Sequence, residues 1–420
     1  MRKMITYSLL ICCISGCKKE VISLEQPDAR LENTLNTYQA QLTSAEYGWF
    51  GYLFTPSGAT STFLFQFDKQ GRVITLANIN ENTAQAKSTG SYRLKATQLP
   101  SLYFDSYSYL HLLADPDPDV LDGTVGAGFE SDLEFSILSA SSNQIYLKGN
   151  LNGSKMILVR AQKDERVVFE ADPLLLKSRW EDPKTFKYYY NRLTLGTKQY
   201  DIVINTRANT INFFSNNGGF KQFSTSCVHT PTGILLAEPF IDGDLRVEEF
   251  RDVKINKSQG SVSLLSGAIR GNIQNVATPL VTDPNAPDQM YHAKSYYVSA
   301  TGFTSNGTSD IFQVTTIPSF YGVIYWPSYG HSPYSSLRVH YLLGSVSYGQ
   351  LFSTQIRGDK IVFSDPKSYI GESQGPVFEQ STKGLTNQFL TPGGYYVFQT
   401  GAGSYDLVSV VDAKTWIRFQ

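Results

Sequence analysis

Asp115-Pro116-Asp117-Pro118-Asp119, followed by Asp122-Gly123, sets carboxylates at nearly alternating positions. Hard oxygen donors in such a run suit calcium, which makes Asp115, Asp117, Asp119 and Asp122 candidate ligands. The run departs from an EF-type loop at two places. Val120 stands where the sharp-turn glycine belongs, and Gly126 where the closing glutamate belongs. The prolines also stiffen the backbone and spread the carboxylates. The plainer reading is a solvated acidic loop. A second group is aromatic: Tyr321, Tyr325, Trp326, Tyr329 and Tyr334 crowd a stretch that holds Pro327, Gly330 and Pro333. Exposed rings on a loop stack on sugar faces or fill a partner's pocket, so Tyr325, Trp326, Tyr329 and Tyr334 are candidate ligand contacts. The plainer reading is a β core with a few scattered tyrosines.

Catalytic signatures are missing. The histidines are His111, His229, His292, His331 and His340, and no two have the spacing of a zinc-binding helix. His331 and His340 could meet across a hairpin, but ordinary half-buried histidines explain them as well. Gly330-His331-Ser332-Pro333-Tyr334 lacks the final glycine of a hydrolase elbow. Gly126-Ala127-Gly128 lacks the third glycine of a dinucleotide turn and reads as a flexible loop. No catalytic residue is assigned, and no cofactor beyond the calcium candidate. The paired carboxylates of a glycosidase leave no fixed sequence spacing, so a hydrolase of glycans or peptides stays open as an alternative.

The strongest chemical signal is at the start. Arg2 and Lys3 precede an apolar or small-residue run from Ile5 to Ser15, the pattern of a signal peptide. It is too short to span a bilayer, which needs about 20 apolar residues. Ile14-Ser15-Gly16-Cys17 is a lipobox: small residues fit the peptidase pocket, and the Cys17 thiol takes the lipid. Residues 1–16 are therefore expected to leave, with Cys17 anchored in the bilayer by fatty acyl chains such as palmitate. Each buried methylene adds about 0.8 kcal/mol, so several chains hold permanently. Cys12 and Cys13 leave with the leader, and only Cys227 remains, so no intramolecular disulfide is expected.

Removing Arg2 and Lys3 takes the formal net charge from −1 to −3. That balance argues against a nucleic-acid partner, which wants a clustered basic surface. Charged residues are only 17% and aromatics 13%, a composition that suits β-strands with hydroxyl-rich outer faces.

The elements follow from periodicity. Residues 17–26 read as a lipidated tether, at most about 30 Å when extended. Leu31, Leu35, Tyr38, Leu42 and Ala45 form one helical stripe, with Pro27-Asp28 at its start and Gly48 at its exit. From Trp49 the period becomes two. Phe63, Phe65 and Phe67, the turn Asp68-Lys69-Gln70-Gly71, and Val73 to Leu76 form a hairpin, and strands continue to Val159 with Asn152-Gly153 as a two-residue turn. Residues 163–193 read as short helices at a boundary. A second set opens on a hairpin around Thr206-Arg207-Ala208-Asn209 and includes separate strands Leu245–Phe250 and Val253–Ile255. Residues 276–291, with Pro279, Pro284 and Pro287, read as a linker. The expected class is mainly β, with antiparallel sheet or barrel-like domains, an N-terminal amphipathic helix and short helical linkers. The expected divisions are a helix plus first β domain at 27–162, a second β domain at 163–290 and a third β-rich part at 291–420. Leu99-Pro100-Ser101-Leu102 and Thr230-Pro231-Thr232-Gly233 suggest that the second is a duplication of the first.

Three stretches carry a resemblance. They are Tyr38 to Trp49, Tyr92 through Asp105 to His111-Leu112-Leu113-Ala114-Asp115-Pro116-Asp117-Pro118, and Leu147-Lys148-Gly149-Asn150-Leu151-Asn152-Gly153-Ser154-Lys155. They resemble the domain of unknown function 4302 family, lipoproteins of Bacteroidota. The resemblance implies an accessory role in glycan or peptide capture beside a SusC/SusD-like outer-membrane importer. It supplies no catalytic residues. A structural envelope protein is the other open reading. Lys18-Lys19-Glu20 lacks the aspartate that retains lipoproteins in the inner membrane, so the outer membrane is expected, with its face undecided.

Overall fold

A computed structural model describes residues 27–96, 98–178, 180 and 185–420. Strands make up 47% and helices 18%, which places the chain in the mainly β class. The lipobox and Cys17 lie outside the described residues.

The first β unit is an antiparallel meander of eight strands: Trp49–Phe54, Thr60–Phe67, Arg72–Ala77, Ser88–Ala96, Pro100–Phe104, Glu134–Ala140, Gln144–Gly149 and Lys155–Arg160. Its first and last strands pair, with Gly51 opposite Leu158, so the sheet closes into a barrel and leaves no edge. Alternation sends Phe63, Phe65, Phe67, Phe104 and Phe135 inward, and an eight-stranded barrel is just wide enough for side chains to fill. Gly51 is required by that filling, because a Cβ there would overlap the Phe65 ring. The helix Pro27–Thr43 docks on this barrel. Its C-terminal half packs, Leu42 joining the barrel core with Tyr38 against it and Ala45 following just past the helix end, while Leu31 is exposed. Asn152-Gly153 does not make a two-residue turn. It sits in a longer loop, closed where Gly149 N–H donates to the Ser154 carbonyl (2.7 Å).

The second unit repeats the topology. Strands Tyr190–Leu195, Lys198–Asn205, Thr210–Asn216, Phe220–His229, Ile234–Asp242, Leu245–Asn256, Ser261–Ser266 and Ile269–Val276 close through Leu193 opposite Ile273. Leu245–Asn256 is one strand where two were expected. Its pairing slips between Arg251 and Lys254, and Asp252 takes the left-handed φ of 51° that absorbs the extra residue. Short helices Lys163–Ala171 and Leu175–Ser178 lead in. The strand that begins at Pro100 and the strand that follows Pro231 are the fifth of their respective barrels.

The expected linker is partly the helix Ala286–Ala293, whose Ala286 and Met290 enter the third core. The third sheet runs from Tyr297–Ser299 through Phe320–Trp326, Tyr334–Tyr341, Val346–Arg357, Lys360–Ser364, Tyr395–Gly401 and Ser404–Ser409 to Thr415–Phe419. Val298 and Gln420 exchange backbone hydrogen bonds of 2.9 and 3.0 Å, which brings its first strand back to its last. The helix Pro376–Phe389 fills this curve, stacking Phe389 on Phe363 at 4.0 Å between ring centroids.

The three units are joined by apolar seams. Phe50, Tyr52 and Phe54 point out of the first barrel onto Phe169, Leu176, Val228 and Leu235. This is why every residue of Trp49–Phe54 is buried. Tyr189, Tyr190 and Phe214 meet Phe398 and Val408 at the second seam. Among the described residues no helix is long and apolar enough to cross a membrane.

Candidate functional site

The acidic run does not assemble a cation cage. Asp115 accepts from Asp117 N–H (3.0 Å), and Asp117 accepts from Asp119 N–H as the cap of the turn Pro118–Leu121. Asp122 ends that turn with a left-handed φ of 56°. Carboxylates spent on successive backbone amides face their own turns rather than a common centre. Among the described residues no three side chains of metal-ligating type converge.

The aromatic stretch is not a loop of exposed rings. Phe320–Trp326 is a strand, and alternation puts Tyr325 fully inside the third core against Phe352 and Phe363. Tyr325 therefore cannot stack on a ligand. Tyr321 stays exposed, Trp326 and Tyr329 are half-buried beside one another, and Tyr334 lies near Lys367. His340 sits near the end of the strand Tyr334–Tyr341, its Nδ1 against the Gly344 carbonyl (3.2 Å), while His331 lies in the turn before that strand. His111 caps a turn whose Leu110 and Leu113 enter the first core, and burial lowers its pKa. Burial pushes the Cys227 thiol up to about 12, so it is no nucleophile at neutral pH.

A wide concavity lies where the first two barrels diverge beyond their apolar seam. It is a cleft of about 710 Å³. Tyr52, Ile157 and Leu235 continue the seam as its floor. The first barrel supplies Tyr146, Lys155 and Arg160, the lead-in helix supplies Glu165, and the strand Leu245–Asn256 supplies Arg246, Glu248, Glu249 and Arg251. Val247 and Phe250 both enter the barrel core although three positions apart. Alternation thus breaks between them, where the pairing with the strand Ile234–Asp242 is interrupted between Leu235 and Phe240, and both Glu248 and Glu249 line the cleft.

Ion pairs order the walls. Arg246 meets Glu248 at 2.7 Å and Arg251 meets Glu249 at 2.6 Å. Lys155 bridges the barrels, donating to the Ala237 carbonyl and approaching Glu238 at 3.5 Å. Burial raises the Glu249 pKa; Arg251 opposes this, and Glu248, Glu165 and Asp252 add to it. Burial also holds the Tyr52 hydroxyl well above its ordinary range, with Glu165 and Glu249 contributing. Glu165 already accepts from Gln162 N–H at 3.0 Å. Both carboxylates thus have structural partners, and the mixed charge offers donors and acceptors for a polar ligand.

A pH dependence follows. A carboxyl whose folded pKa is raised stabilises the fold at acid pH and loses that contribution as pH rises from the ordinary 4.5 through the folded value. Glu249→Gln is expected to match the native protein at acid pH and to melt ~1–3 °C higher at neutral pH, since the exposed Arg251 pair it loses is worth little. Melting curves across that range check it. A variant that melts lower at neutral pH would show that the pair outweighs the burial.

No sequence motif marks these residues. The available signal was a charge-dense strand, Arg246 to Arg251, in a charge-poor chain.

The model of the domain of unknown function family DUF4302 matches residues 20–257. The chain belongs to the DUF4302 family. The match covers the N-terminal helix, the first barrel and the second barrel through its sixth strand. No curated protein matches. In this DUF4302 protein the family-like stretches are framework. Trp49 Nε1 donates to the Leu42 carbonyl (3.0 Å) while Arg160 covers its ring at 4.8 Å. Gln39 Nε2 donates to the Tyr92 hydroxyl (2.7 Å), which donates to the Asp68 carbonyl (2.7 Å). Those contacts lock the helix to the barrel.

Proposed function

We propose that this chain is a lipid-anchored, non-enzymatic accessory of the outer membrane that holds a glycan or peptide in the cleft between its first two barrels. Its place is beside a SusC/SusD-like importer, to which it passes captured nutrient. One observation carries the reading: the inter-barrel cleft is large, polar-walled and apolar-floored, and its carboxylates are committed to structural partners. The lipobox at Cys17 supplies the anchor, and the importer association is what the family resemblance implies.

The test uses the full chain. Titration with short neutral oligosaccharides and with short peptides is expected to give saturable binding to one class, without cleavage. Arg246→Ala is expected to weaken it about tenfold by removing a wall donor. Failure of both probe classes to bind sinks the cleft reading. Cleavage that disappears in both Glu249→Gln and Glu165→Gln would move the chain to the hydrolase class. Cys17→Ser is expected to release the protein from the membrane fraction, and retention there would remove the anchor.

A further inference from the structure

The strand Tyr334–Tyr341 sends Leu337, Val339 and Tyr341 into the third core. Ser336, Arg338 and His340 alternate onto its other face. A sheet face turned away from the core is normally wet, yet all three are less than one-tenth exposed. Each also carries a buried polar atom without a hydrogen-bond partner: Ser336 Oγ, Arg338 Nε and His340 Nε2. Arg338 is the centre of this line. Its guanidinium lies 4.7 Å from the Trp326 ring centroid and 4.2 Å from that of Tyr329. Its Nη1 donates to Ser347 Oγ at 3.2 Å, and among the described residues no carboxylate pairs with it. Across the strand, Gly349 is in register with Arg338, and a Cβ there would strike the Leu337 carbonyl oxygen as well as the Arg338 stem. The side chain is thus accommodated by the sheet, not stranded on it.

Burying a cation without a counter-charge is costly, and two aromatic faces offset only part of that cost. A planar fork with a free Nε edge matches a carboxylate. Beside it, Trp326 and the half-exposed Tyr296, 6.2 Å apart between centroids, form an aromatic shelf of the kind that takes a sugar face. Tyr329 covers the guanidinium from the short turn Tyr329–His331, where Gly330 and His331 are exposed, and a ligand carboxylate on Arg338 would take the place of its ring.

We propose that this face of the third sheet binds a uronic-acid sugar unit, its carboxylate on Arg338 and its ring on Trp326 and Tyr296. The site is remote in the fold from the inter-barrel cleft, so the two readings fail independently.

The full chain is titrated with an oligogalacturonate, its methyl ester, the neutral galactose oligomer and acetate, following Trp fluorescence and heat. The acid oligomer is expected to bind saturably, and both uncharged oligomers about tenfold or more weaker. Arg338→Gln and Trp326→Leu are each expected to lose about tenfold with unchanged melting of the rest of the chain. No binding of the acid oligomer overturns the proposal, as does equal binding of its methyl ester. Acetate binding as tightly as the oligomer overturns the sugar shelf. If Arg338→Gln does not fold, the comparison of acid with ester on the native protein still decides.

Discussion

Asp406→Ala is expected to destabilise the third unit by about 3–5 kcal/mol, the usual cost of breaking a buried ion pair from one side. Asp406 is completely buried in the strand Ser404–Ser409. Arg418 on the neighbouring strand grips it with two bonds, Nε to Oδ1 at 2.7 Å and Nη2 to Oδ2 at 2.6 Å. The Tyr189 hydroxyl, from the entry to the second barrel, donates to Oδ2 at 2.8 Å. Alanine would leave a guanidinium that is only 14% exposed without its carboxylate, and a buried phenol without its acceptor. Because Tyr189 and Arg418 belong to different units, the loss also loosens the second seam. Chemical denaturation is expected to show an early transition in Asp406→Ala, the third unit unfolding ahead of the first barrel. Asp406→Asn keeps an acceptor for Tyr189 and is expected to lose less. Asp406→Ala with Arg418→Met is expected to recover part of the loss, since the guanidinium that has lost this carboxylate is removed with it. A loss below about 1 kcal/mol in Asp406→Ala would mean that water reaches the pair.

Where alternation was strong, the sequence already showed the strands. Phe63, Phe65 and Phe67 leave no choice of face, and the hairpins around Gly71 and Ala208 follow from their turn residues. Strand closure is a different kind of fact. Gly51 opposite Leu158 spans most of the first barrel's sequence, and nothing local announces it. The helix Pro376–Phe389 escaped because Thr382 and Thr386 occupy buried positions of its stripe and Gly384 interrupts it. That glycine has a tertiary cause, since a Cβ would strike the Phe312 ring. The strand holding Tyr325 escaped for the opposite reason: prolines and glycines beyond Trp326 gave the whole stretch the look of a loop. The cleft was least legible. Its walls join Tyr146 and Lys155 to Glu249 from another barrel, and its two glutamates reach one wall only through a slipped register. Pro100 opens, and Pro231 shortly precedes, the fifth strand of two barrels with the same meander order.

Asp132→Ala is expected to cost about 3–4 kcal/mol, and its effect reaches the cleft. Asp132 is 2% exposed. Its Oδ1 accepts from Leu151 N–H (2.7 Å) and Asn152 N–H (2.8 Å), and its Oδ2 from Ser154 N–H (2.9 Å) and Ser154 Oγ–H. One carboxylate thus shapes the loop between the last two strands of the first barrel. The family-like run Leu147 to Lys155 now has a physical reason. Gly149 must lack a Cβ because the Asp132 carboxylate fills that space. Asn150 Oδ1 accepts from Ser136 Oγ (2.7 Å), and Asn152 Nδ2 donates to the Ser131 carbonyl (3.1 Å). Gly149→Ala would push the carboxylate off its amides, so it is expected to cost nearly as much as Asp132→Ala. The double variant is expected to cost little more than either alone, because both remove the same bonds. Additive losses would show that Gly149 acts elsewhere. The loop ends on Lys155, whose ammonium crosses to Ala237 and Glu238 of the second barrel. A loop that no longer fixes Lys155 lets the cleft wall move, so probe binding in the cleft is expected to weaken in a folded Asp132→Asn chain. Binding unchanged there, with the loop disturbed, would detach Lys155 from the ligand and leave the wall to Arg246 and the glutamates.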